Sequence, residues 1–150
     1  MMKQVRVFKI RPDAKMPVRA HKNDAGMDLF FCPPENAIRR IESGNSALLE
    51  TGIKMEVPPG FMLQVMNKSG IATKMQLITG ACVVDQGYDG EIFVNLQNIG
   101  QTNQYIEPGQ KIAQAVFVRI EKPSMMEIES DAIYGGSTPR GSGGFGSTGV

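Results

Sequence analysis

Histidine occurs once in this chain, at position 21, and that scarcity removes much of the usual catalytic repertoire. A zinc site built on paired histidines is excluded. A Ser-His-Asp triad would have to use His21, which lies between Ala20 and Lys22 in a polar stretch and reads as solvated surface. Cysteine is almost as scarce. Cys32 and Cys82 are far apart and outside any C-x-x-C pair, which argues against a zinc site or a disulfide framework. Cys82, between Ala81 and Val83, reads as a small buried hydrophobe. No apolar run approaches membrane-spanning length, and Met1 to Val5 leads into a strand pattern rather than a signal peptide. An excess of one charge is missing too: 16 Lys and Arg face 15 Asp and Glu, a net charge of +1. That balance argues against a dedicated nucleic-acid binder and against an electrostatic membrane anchor. Chemistry is left to carboxylates, cations and a bound Mg²⁺.

What is present is an ordinary soluble composition, 41% hydrophobic and 21% charged, in 150 residues, enough for one domain with a core of its own. Val5 to Ile10 alternates apolar and polar residues, as a half-buried strand does. Strand-like runs follow at Met27 to Phe31, in two pieces within Ala47 to Val57, and at Phe61 to Met66. Others are Gln76 to Thr79, Glu91 to Leu96 and Lys111 to Ile120. Turn chemistry separates them at Pro58-Pro-Gly60, Tyr88-Asp-Gly90, Asn98-Ile-Gly100 and Glu107-Pro-Gly109. Only Ser69 to Met75 invites a helix, with Ser69 as its N-cap. Many short strands with almost no helix predict an all-β sandwich or barrel. A packed domain over residues 1–134 is expected, followed by a flexible Gly-rich arm over 135–150, which holds seven of the 17 glycines.

The polar candidates fall in five places. In Ala25-Gly-Met-Asp28-Leu29 a carboxylate follows a glycine at a strand start, either fixing a turn or ordering a metal-bound water or a cation. In Asn67-Lys68-Ser69-Gly70 a cation and a hydroxyl stand at a helix start, which suits a phosphate as well as a simple cap. Asp85 follows the apolar run Gly80 to Val84, so partial burial is expected to raise its proton affinity and make it a general base toward water, with Tyr88 able to pack against a sugar. Pro108 to Gln114 is a turn entering a core strand, from which Gln114 alone is expected to reach a ligand. The tail, Arg140-Gly-Ser-Gly-Gly-Phe145-Gly-Ser-Thr148-Gly, joins a forked phosphate donor to an aromatic ring among glycines. It is not a P-loop, since no lysine-hydroxyl pair follows its glycines.

With A-G-M-D-L, K-S-G-I-A, V-V-D-Q-G-Y-D-G-E, G-Q-K-I-A-Q and R-G-S-G-G-F-G-S-T-G in that order, the chain resembles the homotrimeric dUTPase family (dUTP diphosphatase) over nearly its whole length. The resemblance implies a β jelly roll, or β-clip barrel, assembled as a trimer with active sites shared at subunit interfaces and closed by the arm. It implies hydrolysis of dUTP to dUMP and pyrophosphate, in the cytoplasm or, for a viral chain, the host cytoplasm. Asp85 would hold the water that attacks the α-phosphorus. Tyr88 would lie under the deoxyribose and exclude a 2′-hydroxyl, and backbone around Gly80, Cys82 and Val83 would read uracil. Lys68, Ser69, Gly70 and Gln114 would bind the phosphates, with Arg140, Gly146, Ser147 and Thr148 at the distal end. Phe145 would stack on the base, and Asp28 would reach Mg²⁺ through water.

Three positions depart from the family pattern: Lys68 where arginine is usual, Met27 where an aromatic is frequent, and Cys82 where glycine is common. Two alternatives stand beside the triphosphatase. A deaminase of dCTP shares the fold but needs a carboxylate where this chain has Asn95. A nucleotide-binding signalling module would keep the site with weakened turnover.

Overall fold

The structure, a computed structural model, describes residues 4–144. Eleven strands and one helix are found among them: β1 (Val7–Lys9), β2 (Met27–Phe30), β3 (Arg39–Ile41), β4 (Ser46–Glu50), β5 (Ile53–Met55) and β6 (Phe61–Met66), then α1 (Ser69–Met75). After the helix come β7 (Leu77–Thr79), β8 (Val83–Val84), β9 (Phe93–Asn98), β10 (Gln104–Ile106) and β11 (Lys111–Arg119). All the pairings are antiparallel. Two larger sheets, in the orders β2-β11-β6-β8 and β4-β9-β7, are supplemented by the pairs β1-β5 and β10-β3. This is the expected all-β, jelly-roll-like class; among the described residues no sheet closes into a barrel.

Alternation along the strands builds the core. Leu63 and Val65 of β6 and Val94 and Leu96 of β9 point inward and are essentially inaccessible to solvent. Phe31 and Ile112 fill the same interior. Each such side chain contributes about 1.5–3 kcal/mol by leaving water. The intervening residues of β9, Phe93 and Asn95, face outward, which leaves them free to line a site.

β6 keeps its predicted ends, β9 is shifted two residues along the chain, most of the other predicted strands are shortened, and β3, β8 and β10 are additions. Each of these has only two or three residues, too few for a period of two to register. The helix N-cap is Lys68, with no side-chain cap bond, so Ser69 is the first helical residue rather than the cap. The last strand is followed by Ile120, whose N–H donates to Gly60 O at 3.0 Å. From Glu121 onward the described chain forms no strand and is almost wholly exposed in one copy.

Candidate active site

Two polar constellations form, towards opposite edges of the sheet β2-β11-β6-β8. The first joins β2, β11 and the end of β6. Asp28 and Gln114 are direct cross-strand partners, and Gln114 is also opposite Met66 on the other side. A register shift between Lys111 and Ala113 has a local consequence. In a regular strand Lys111 and Gln114, three apart, would point to opposite faces; a bulge restores them to one face. Lys111 Nζ then sits 2.7 Å from Asp28 Oδ2, while Lys68 Nζ donates to Asp28 Oδ1 at 2.7 Å. The Lys111 contact is an ion pair without hydrogen-bond geometry, since Oδ2 has no hydrogen-bond partner. Burial pushes the Asp28 carboxyl up, but the two lysines outweigh it and hold the group below its ordinary value.

Gly26 makes this cluster possible. A Cβ there would lie 2.0 Å from Gln114 Oε1, so only glycine lets the amide fold over the strand start. Gln114 Nε2 in turn donates to Asn67 O at 2.9 Å, and Asn67 Oδ1 accepts from Thr79 N at 2.7 Å and Thr79 Oγ1 at 3.0 Å. The segment carrying Lys68, Ser69 and Gly70 is thereby anchored to both sheets.

Asp28 does not fit the expected role of water-mediated metal ligand. Its carboxylate is 5% exposed and neutralised by two ammonium groups, which repel a dication. No group of three His, Cys, Asp or Glu side chains converges on a metal position among the described residues. Among the described residues the chain offers no cage for Mg²⁺.

The second constellation is a pocket of about 230 Å³ on the outward face of β9, walled by Leu48, Phe93 and Asn95 and by the run Ala81 to Asp85, with Tyr88 at its side. Gly80 stands at its inner end. A Cβ there would lie 2.0 Å from Asn95 Oδ1. Gly80 N–H already donates to Asn95 O at 3.0 Å, and Cys82 O accepts from Val65 N–H at 2.8 Å. The Gly80 N–H is thus occupied within the chain, whereas Cys82 O keeps a second lone pair. Cys82 itself is half-buried and faces the pocket, not the core. Asp85 is exposed, without the partial burial expected from the preceding run, because β8 is a two-residue edge strand with nothing beyond it in one chain. Tyr88 is half-exposed; its N–H donates to Asp85 O at 3.2 Å and its hydroxyl to Glu91 O at 2.9 Å.

His21 is exposed and belongs to neither constellation. Arg140 is exposed, with its Nε donating to Gly143 O at 3.2 Å, and touches neither. Phe145, Gly146, Ser147 and Thr148 lie outside the described residues. Sequence reasoning missed Lys111, whose side of the strand only the bulge determines. It also set aside Glu91, whose carboxylate ties the Tyr88 turn to Arg11 and to Gly52 N–H at 2.7 Å.

Comparison with known proteins identifies the family of the chain. The dUTPase family model matches residues 12–149. The deoxyuridine 5'-triphosphate nucleotidohydrolase of Clostridium tetani is 42% identical over 93% of this chain and 92% of its own length. That of Crocosphaera subtropica is 38% identical over 98% and 99%. Among solved structures, the dUTPase of Staphylococcus bacteriophage 80alpha with dUPNHPP has a TM-score of 0.86 at 26% identity, covering 99% of this chain and 100% of that one. A mutant dUTPase from phage phi11 of S. aureus, described with a structural Mg(II) ion, has a TM-score of 0.77 at 24% identity, covering 87% and 99%, a likeness of fold alone. By the family match across nearly the whole chain and its identity to these nucleotidohydrolases, the chain belongs to the dUTPase family and is a dUTP diphosphatase.

Proposed function

We propose that dUTP is cleaved between its α- and β-phosphates at sites built from more than one copy of this chain, giving dUMP and pyrophosphate. Asp85 holds and deprotonates the attacking water, and its exposure leaves both carboxylate oxygens open to solvent. The pocket beside β8 takes uracil, and Tyr88 stands where a deoxyribose would lie. Lys68, Ser69, Gly70 and Gln114 grip the phosphates. Catalysis is then mainly positioning and charge neutralisation. Mg²⁺ belongs with the triphosphate, and no residue of this chain is assigned to hold it.

One observation carries the shared-site reading. Val84 is opposite Leu63 on β6, while Cys82 O bonds Val65 N, so moving from Cys82 to Asp85 runs away from the Lys68 end of β6. A nucleotide with its base at Cys82 and its α-phosphorus at Asp85 therefore points its phosphates away from the same chain's Lys68. Lys68 lies five residues beyond Leu63, a separation on the order of 15 Å at the strand rise of about 3.3 Å per residue. The phosphate grip must come from a neighbouring copy, in keeping with a homotrimer. The arm, with Arg140 and with Phe145, Gly146, Ser147 and Thr148, closes such a site.

Subunit mixing tests this. Asp85→Asn and Lys68→Met, each nearly inactive alone in pyrophosphate release from dUTP, should regain activity when unfolded together and reassembled. Site sharing is ruled out if mixed assemblies stay as inactive as the parents. Assaying dTTP, dCTP and UTP in parallel, with ammonia as a second readout, separates the triphosphatase from a dCTP deaminase.

A further inference from the structure

We infer that Arg11 and Glu91 form a positioning couple that sets the height of the Tyr88 ring, and through it the choice of deoxyribose over ribose. The inference rests on the reading of Tyr88 as the residue beneath the sugar.

Tyr88 has little of its own to hold it. It is half-exposed and sits in a turn that includes Gly87 at φ +90° and Gly90, with Asp89 pairing only with the partly exposed Lys54. Two features fix its ring. A Cβ on Gly90 would lie 2.3 Å from the Tyr88 hydroxyl oxygen and 2.4 Å from Cζ, so the hydroxyl end of the ring packs directly on Gly90. The hydroxyl then donates to the carbonyl of Glu91. The ring is therefore only as well placed as residue 91.

Residue 91 is tied down by its side chain. Glu91 Oε1 accepts from Gly52 N–H at 2.7 Å and from Arg11 Nη2, and Arg11 Nη1 reaches Oε2 at 3.4 Å. The pair is largely shielded, with side chains 18% and 14% exposed. Gly52 is itself immobilised: its φ is +71°, a Cβ would meet Ala14 at 2.7 Å and Cys32 Sγ at 3.0 Å, and its carbonyl accepts from Ile10 N–H at 2.7 Å. Next along the chain, Ile92 N–H donates to Ile53 O at 2.8 Å. A rigid corner between β4 and β5 thus supports Glu91, and Glu91 supports Tyr88. Among the described residues Arg11 Nε has no hydrogen-bond partner, so Glu91 supplies the only ion pair that holds Arg11 there. Arg11 does not line the pocket, and Glu91 lines it with its carboxylate already taken up by Arg11 and Gly52 N–H, so both act through Tyr88 as positioning residues.

The test is the ratio of kcat/KM for dUTP to that for UTP. Glu91→Gln keeps the shape and removes the charge; Arg11→Lys keeps the charge and loses the fork. Glu91→Gln should lower the ratio at least about tenfold, the low end of what pocket exclusion supplies. Arg11→Lys should lower it less, and it carries the test if Glu91→Gln fails to fold. Tyr88→Phe, which removes the tether, should lower the ratio by itself and add little to Glu91→Gln in a double-mutant cycle. A ratio unchanged in a variant whose thermal midpoint has fallen assigns the couple a purely structural role and overturns the proposal. Full additivity with Tyr88→Phe overturns it as well. Tyr88→Ala distinguishes the remaining failure: if removing the ring leaves the ratio intact, the sugar reading is wrong and the coupling falls with it.

Discussion

Asp28 and Asp85 belong to opposite edges of the same four-stranded sheet, and their surroundings are opposite too. Asp28 is buried on β2 with one ammonium on each oxygen. Asp85 follows β8 and has no side-chain hydrogen bond or ion pair among the described residues. A carboxylate saturated by cations cannot take up a proton from water or spare an oxygen for a metal. It can only orient the cations that hold it. A carboxylate left open can do the first but stabilises nothing. The contrast therefore assigns chemistry to one and architecture to the other, and the two should respond to removal of charge in opposite ways.

The largest effect is expected from Asp85→Asn. Loss of a general base costs about 10²–10⁴ in rate. Removal of an exposed, unpartnered charge should leave folding stability within about 0.5 kcal/mol. Pyrophosphate release from dUTP, measured beside a thermal melt, reads both quantities. If the melt moves and the rate does not, the two carboxylates have been assigned the wrong way round.

Asp28→Asn should do the reverse, lowering stability first. Breaking a buried ion pair costs about 3–5 kcal/mol, but the two lysines are 32% and 44% exposed and can turn to water, so about 1–3 kcal/mol is expected. The linked pH dependence has a definite sign. The Asp28 carboxyl is held below its ordinary value of 3.8 in the folded chain. Its contribution is therefore fully present above about pH 4 and is lost as the pH falls through the lowered folded value. The thermal midpoint of the parent chain should drop over that window by more than that of Asp28→Asn. Parallel curves would remove the ion-pair account.

How much of this was legible in the sequence follows the same division. The long strands announced themselves: the six-residue β6 was expected with its observed ends, because six residues show a period of two. β3, β8 and β10, of two or three residues each, did not, and β3, being Arg-Arg-Ile, carries almost no apolar signal. At the site, Asp28, Lys68, Asp85, Tyr88 and Gln114 were all singled out by residue type and position. Their environments were not. Burial of Asp28 depends on Lys111, and Lys111 reaches it only because of a bulge that no local pattern encodes. The exposure of Asp85 reflects its place on an edge strand, a property of sheet order rather than of the run Gly80 to Val84. Glu91 looked like a turn residue because its partners, Arg11 and Gly52, come from distant segments.

A smaller effect sharpens the comparison by disturbing one constellation without touching a charge. In Gly26→Ala the new Cβ would lie 2.0 Å from Gln114 Oε1 and 2.7 Å from Cδ. The amide, being the end of a flexible side chain, should rotate away and give up its bond to Asn67 O. A lost hydrogen bond to a charged phosphate is worth about 1.5–3 kcal/mol, so KM for dUTP should rise about ten- to a hundredfold. kcat should change much less, because a grip on the phosphates made equally in the ground and transition states alters binding alone. A fall in kcat with KM unchanged would mean that Gln114 contributes in the transition state alone.

The smallest effect is expected from Lys68→Arg, which places a planar fork where the chain has a single ammonium. The Asp28 carboxylate would still hold one arm, since Oδ1 already accepts from this position. The second arm would be free for a phosphate oxygen, a contact a lysine bound to Asp28 can make only with its remaining N–H groups. At a side chain 32% exposed, solvent screening limits the gain, and KM should fall by less than about tenfold, with stability unchanged within about 0.5 kcal/mol. Repeating the substitution in Asp28→Asn gives the sharper result. Without its anchor the fork has no fixed orientation, so the advantage of arginine over lysine should vanish. If it persists, Asp28 does not orient the phosphate grip, and its role reduces to holding β2 against β11.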